Sequence, residues 1–333
     1  MAREITYRDA LREALREEMY RDERVFLMGE DIGHYGGSYA VTRGFLQEFG
    51  PERVRDTPIA ELGIVGVGIG AAIGGLRPVV EIMTINFSLL AMDQIVNHAA
   101  KLHYMFNGQF TAPVVIRTAA GFGQLGATHS QTFEHWYAHV PGLRVVMPAV
   151  PKDAKGFLKS AIRGDDPVIF IEHSLIYRNR GEVPEDEDFL LPLEGAEVRR
   201  EGTDVTIVSW SRGYYLALGA AEELAREGIE CEVIDLRVLR PLDLDTVVRS
   251  VQKTNRLVVV EEGWRTLALG AEIAAAVQEQ AFDDLDAPVA RVGSLEVPMP
   301  YARNLERLVV PNKDRVVEAV RQVLYRRQPV GVP

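Results

Sequence analysis

Apolar residues recur at helical spacing over residues 7–19, where Leu11, Ala14 and Leu15 share one face. A short apolar run at 25–28, closed by Gly29, predicts a strand. A loop rich in glycine and tyrosine follows at 31–39, before a short helix near 44–49. Loops held on a rigid scaffold often carry function, so this one is kept in view. From there helices and strands alternate: helix 62–75, strand 78–83, helix 89–104, strand 113–117, loop 118–129, helix 133–138, strand 143–147, helix 152–163 and strand 168–172. The strands are short and apolar throughout, the pattern of a parallel sheet with helices on both faces.

Residues 173–202 interrupt this rhythm. They hold Pro184, Pro192 and an acidic run at 185–188, the composition of a linker or arm. A second alternation then begins, with strands at 205–210, 231–236, 256–261 and 289–292 and helices at 214–227, 244–251, 268–279 and 315–324. The fold class expected is α/β, as two parallel-sheet domains: residues 1–185 with the start of the linker, an arm at 186–202, and a second domain at 203–333. Only the last residues, 327–333, read as a disordered tail.

The chain has 333 residues, enough for two cores, and a formal net charge of -11. That charge disfavours a nucleic-acid binder, which needs a positive surface to follow phosphates. No stretch is long and apolar enough to cross a bilayer, and the N-terminus lacks the apolar core and cleavage signal of an export peptide. Cys231 is the only cysteine, so neither a disulfide within the chain nor a cysteine metal cluster is available. It lies in a predicted strand and reads as a small buried side chain. The expectation is a cytoplasmic protein.

The segment after Glu61 changes the picture. Five glycines stand between positions 63 and 74, and each costs about 1 kcal/mol relative to alanine inside a helix. Gly63, Gly66, Gly70 and Gly74 form a smooth stripe that another helix, backbone or ligand can approach closely. Gly66-Val67-Gly68-Ile69-Gly70-Ala71 meets a loose dinucleotide fingerprint, but a loop rather than a strand leads into it, which is the wrong context. Glu61 is a carboxylate beside an apolar helix, costly there unless exposed or partnered. A first-turn acid favoured by the helix N-terminus and a functional acid are both open on the residues alone.

Read together, these segments resemble a known family. Pro58-Ile59-Ala60-Glu61-Leu62-Gly63, the glycine helix and Gly75-Leu76-Arg77-Pro78 resemble the pyrimidine domain of the beta subunits of thiamine-diphosphate-dependent 2-oxo acid dehydrogenases. Asn86-Phe87, Asp93-Gln94-Ile95, Ala99-Ala100-Lys101, His129-Ser130-Gln131 and His139-Val140-Pro141-Gly142-Leu143 follow in the same order. The second half matches at Asp235-Leu236-Arg237, Pro241-Leu242-Asp243 and Glu261-Glu262-Gly263. The resemblance runs over nearly the whole chain and implies a transketolase-like pyrimidine domain followed by a transketolase-like C-terminal domain.

The resemblance also implies roles. Glu61 becomes the carboxylate that bonds N1′ of the aminopyrimidine and makes its amino group a base toward thiazolium C2. Ile59 and Met83 line the pyrimidine pocket and Phe87 sets its ring against the pyrimidine, although alone it reads as an ordinary core residue. His129, in a glycine-rich loop, becomes an active-site histidine near the substrate, either orienting the 2-oxo acid carboxylate or assisting acyl transfer. His98 and His103 do not share a helix face, whereas His135 and His139 do; packing or interface roles are expected for them, with His135 a distant site candidate. Ala161, Gly164 and Asp166 match a turn where relatives bind a structural potassium ion through backbone oxygens. Asp235, Arg237, Glu261 and Glu262 receive no assigned role.

The family's diphosphate-metal motif begins Gly-Asp-Gly, which does not occur in this chain. The resemblance therefore places Mg2+ on a separate alpha subunit in an alpha2-beta2 heterotetramer, with the site shared between subunits. It also implies docking of the C-terminal domain on a lipoyl acyltransferase core, a partner that the acidic charge would help steer. Residues 131–137 resemble the pyruvate branch of the family more than the branched-chain one, and acetoin is a further alternative. Readings from other classes are a non-catalytic interface subunit and a nucleotide-dependent oxidoreductase.

Overall fold

The computed structural model describes residues 2–325; the 327–333 tail lies outside them. The chain divides into two units, one of Met1–Gly123, Thr128–Glu194 and Val238–Pro241, the other of Gln124–Ala127, Gly195–Arg237 and the chain from Leu242 onward. Each expected domain was one continuous stretch. Instead, 124–127 groups with the second unit and 238–241 with the first.

The first unit is built on a sheet of β2 (Val25–Gly29), β3 (Val54–Asp56), β4 (Arg77–Ile82), β5 (Val115–Ala120), β6 (Arg144–Val146), β7 (Val168–His173) and β12 (Val238–Arg240), in the order β12-β6-β7-β5-β4-β2-β3. All pairings are parallel except β12 with β6. That antiparallel edge explains why 238–241 leaves its sequence neighbours. The central strands β5 and β7 are buried along their whole length, as helices on both faces require. β1 (Ala2–Thr6) and β8 (Arg180–Pro184) form a separate antiparallel pair, so the stretch expected as an irregular arm is partly ordered. The helix Tyr7–Arg21 starts where the Thr6 hydroxyl accepts from the Asp9 amide.

The long helix expected over 89–104 is not continuous. It is a 3-10 turn at Ile85–Ala91, a π-helical turn at Gln94–Ala99 and a short α-helix at Leu102–Met105. The Ala100 amide reaches the Ile95 carbonyl at 3.0 Å, five residues back, which widens the turn yet keeps Ile95 and Ala99 inside. A spacing pattern of apolar residues does not register one extra residue per turn.

The second unit carries β9 (Glu197–Arg200), β10 (Val205–Ser209), β11 (Cys231–Asp235), β13 (Leu257–Trp264) and β14 (Ala290–Ser294), ordered β14-β13-β10-β11-β9 with only β9 antiparallel. The helix Arg303–Val309 is an addition to the expected elements. No described helix is long and apolar enough to cross a membrane.

Candidate functional site at the start of the glycine helix

The helix Glu61–Ile73 begins after β3, on the side of the sheet where the parallel strands end. That side is where open α/β sheets place their ligands. Its first residue, Glu61, is 4% exposed, although Ile59 two residues earlier is 82% exposed. The backbone therefore swings outward at Ile59 and turns the next acid inward. Among the described residues no hydrogen bond or ion pair holds the Glu61 carboxylate.

A second acid, not singled out in the sequence, stands beside it. Glu30 follows directly on β2, is buried, and has an Oε1 with no hydrogen-bond partner among the described residues. Burial raises its pKa, and the charges of Glu61 and Asp31 raise it further. An acid placed immediately after a buried strand ending in glycine is the signal that would have found it.

The glycines divide into two sets. A Cβ on Gly68 would lie 2.5 Å from Val80 Cγ2, and one on Gly66 would lie 3.3 Å from Gln94 Oε1. These two let the helix press onto β4 and the π-helical turn. A Cβ on Gly70 would meet nothing within 4 Å, and one on Gly63 only Ala60 at 3.8 Å. The outer set lies beside the exposed Leu62, Val67 and Ile73, so one face of the helix is smooth, apolar and uncovered in the single chain.

Beyond β4 the chain passes through half-buried Met83 into the turn that presents Phe87. Asn86 sets this turn. Its Nδ2 donates to Thr84 Oγ1 at 2.7 Å, and its Oδ1 accepts from the Gln131 backbone amide at 3.1 Å. Through Asn86 the segment 84–87 is tied to the loop bearing His129. The Phe87 and His129 rings meet edge to face with centroids 5.2 Å apart, and His129 Nδ1 pairs with Thr128 Oγ1 at 2.9 Å. Beneath them Ser88 Oγ pairs with the buried Tyr137 hydroxyl. Burial pushes the Tyr137 phenol up to about 12.

The other candidates scatter. In the 161–166 turn, Ala161 is buried, the Gly164 carbonyl accepts from Arg77 Nη1 at 2.7 Å, and the Asp166 carboxylate accepts from Arg144 Nε at 2.6 Å. His98 faces Asp93 at 3.5 Å and His103 Nδ1 faces the Phe110 carbonyl at 3.1 Å. His135 is desolvated, which pushes its pKa down to about 4. Among the described residues no three His, Cys, Asp or Glu side chains gather to hold a metal. Cys231 is buried, and burial pushes its thiol up to about 12, which leaves it unreactive. In the second unit, Arg237 donates to Glu197 at 2.7 Å, Asp235 faces Arg199 at 3.4 Å, Glu262 pairs with Arg212 at 2.9 Å, and Glu261 accepts from the Gly270 amide at 3.2 Å.

Comparison with known proteins bears on the family and the fold. Residues 3–179 match the transketolase pyrimidine binding domain and residues 194–316 the transketolase C-terminal domain. The chain is 53% identical over 323 residues to the pyruvate dehydrogenase E1 component subunit beta of Rhizobium meliloti, covering 97% of this chain and 70% of that protein. It is 51% identical to the subunit of the same name from Rickettsia felis, covering 97% and 99%. It is 52% identical to the mitochondrial subunit beta-1 of Arabidopsis thaliana, covering 98% and 91%. Among solved structures, a split gene transketolase in an inactive beta4 tetramer superposes with a TM-score of 0.77 at 25% identity, covering 97% of this chain and 99% of that one.

Proposed function

The chain belongs to the pyruvate dehydrogenase E1 component beta subunits, and from that premise we propose that it supplies the aminopyrimidine half of a thiamine diphosphate site used to decarboxylate pyruvate and acylate a lipoyl group. The observation that carries this reading is Glu61: a carboxylate 4% exposed, at a helix start, with no hydrogen-bond or ion-pair partner among the described residues. A buried acid of this kind suits a ring nitrogen brought by a ligand, because such a bond is stronger away from water than in it.

When bound, thiamine diphosphate supplies the electron sink for decarboxylation. The chain's residues hold and orient it. Glu61 offers its oxygen to N1′ and keeps a proton there. Glu30, whose pKa is raised by burial and then by the charges of Glu61 and Asp31, is suited to hold a proton in the same site. Met83 and Phe87, half-buried in the chain, and Ile59, 82% exposed in it, would form an apolar surround for the ring once cofactor and alpha subunit cover them. His129, held by Phe87 and Thr128, faces the substrate side and is suited to hold a carboxylate or move a proton.

The remaining parts belong to partners. An alpha subunit would carry Mg2+ and the diphosphate in an alpha2-beta2 assembly, and the smooth outer face of the glycine helix suits such a neighbour. Docking on a lipoyl acyltransferase core through the second unit, and a cytoplasmic setting, complete the proposal. Potassium at Ala161, Gly164 and Asp166 would have to share Gly164 with Arg77, which a carbonyl with two lone pairs permits.

Glu61→Gln, assembled with the alpha subunit, tests the central claim. Exchange of the cofactor C2 proton, followed by NMR, should slow by about a hundredfold or more while the subunit stays folded. Exchange at the normal rate would overturn it.

A further inference from the structure

Directly below the cofactor-lining segment lies a buried ion cluster with no part in the chemistry above. Arg117, 3% exposed on β5, is forked between two carboxylates, Glu81 on β4 and Glu172 on β7, which are 8% and 0% exposed. Its Nη1 donates to Glu81, while Nε and Nη2 both donate to Glu172, the latter at 3.0 Å. The Tyr177 hydroxyl adds a bond to Glu172 at 2.5 Å. In many proteins apolar residues of similar volume replace a buried ion cluster at no loss of stability. What they do not supply is direction: a planar guanidinium fixes the angles of both carboxylates at once.

The segments so fixed all lead to the site. Glu81 stands on β4 two residues before Met83, which follows directly on the strand's end. β5 runs on to Gly121, where a Cβ would fall 2.2 Å from Ser174 Oγ, just past the end of β7. The loop after Glu30 closes on the same cluster: Tyr39 stacks on Tyr177 with centroids 4.7 Å apart, and a Cβ on Gly37 would lie 3.5 Å from Glu81 Oε1. Gly29, just before Glu30, has room for no Cβ because the Glu81 carbonyl oxygen would be 2.6 Å away.

We propose that Arg117 is a positioning residue for the cofactor site, setting through Glu81 and Glu172 the placement of the Met83–Phe87 wall and of the loop that begins at Glu30. This rests on the thiamine diphosphate reading above. A purely structural cluster would affect stability alone. A positioning cluster affects cofactor affinity even where stability is restored.

The test uses the alpha–beta assembly, with thermal midpoint and calorimetric thiamine diphosphate affinity measured side by side. In Glu81→Gln/Arg117→Met/Glu172→Gln the cluster is neutral, so no unpaired charge is left buried. The thermal midpoint should stay close to that of the parent, while cofactor affinity falls about tenfold, a change of about 1.4 kcal/mol. Arg117→Lys keeps the charge without the fork and should show the same weakened affinity. Parental affinity in either folded variant overturns the proposal, and the lysine variant decides alone if the triple variant does not fold. The Glu61→Gln exchange experiment separates the two ideas. Slowed exchange there with normal binding in the cluster variants defeats only the role of Arg117, whereas normal exchange defeats the site itself.

Discussion

The Phe87 ring stands edge-on to the His129 imidazole, their planes at 84°, so an aromatic from the 3-10 turn after β4 supports a histidine from the loop after β5. The contact holds His129 at an exposed rim without burying it. The Asn86 bond to the Gln131 amide ties the same loop to the same turn a second time.

This support makes His129 separable from assembly. His129→Ala should leave the alpha–beta complex intact and lower lipoyl-dependent turnover by about a hundredfold or more, the usual scale for a positioned acid–base group. Size-exclusion chromatography and steady-state kinetics on the same preparation check both halves. An unchanged rate would remove His129 from the site.

The two sets of glycines predict opposite effects. Gly68→Ala forces a methyl against Val80 and should destabilise the chain by about 1–3 kcal/mol. Gly70→Ala meets open space and should stabilise the isolated chain by up to about 1 kcal/mol through helix propensity. The same Gly70 change should weaken association with the alpha subunit. Denaturant unfolding and a binding titration measure the two quantities. Equal stability effects at both positions would contradict the division into inner and outer faces.

Burial holds His135 down to about 4, against about 6.5 for a solvated histidine. Between these values the unfolded chain binds a proton that the folded chain does not. The stability that results is full above about pH 6.5 and is lost as pH falls toward 4. His135→Gln should flatten this acid limb by about 1–3 kcal/mol, the lower figures applying because the ring is partly exposed. Unfolding free energies at several pH values provide the check, and parallel curves for the two proteins would refute it.

A site divided between subunits also predicts that the chain alone is inactive. Pyruvate decarboxylation by the purified chain should stay at background with thiamine diphosphate and Mg2+ present, and appear on adding the alpha subunit. Full activity without it would end the shared-site reading.

Much of this protein was legible from residue order. Runs of apolar residues and helical spacing located the core strands and most helices, because burial in a two-faced parallel sheet demands those patterns locally. Glu61, Met83, Phe87 and His129 are singled out by resemblance of short motifs, and the structure gathers Phe87 and His129 into one contact. The broken 85–105 segment, the antiparallel edge at Val238–Arg240, the inward turn of Glu61 beside Glu30, and the fork of Arg117 between Glu81 and Glu172 were not legible. Each depends on partners distant in the chain, so no local pattern encodes it. Residue order determined which strands and helices form and which acid to suspect; tertiary packing alone decided that this acid is buried with no partner among the described residues, because whether a carboxylate meets water, an arginine or another carboxylate is settled only when separate segments close around it.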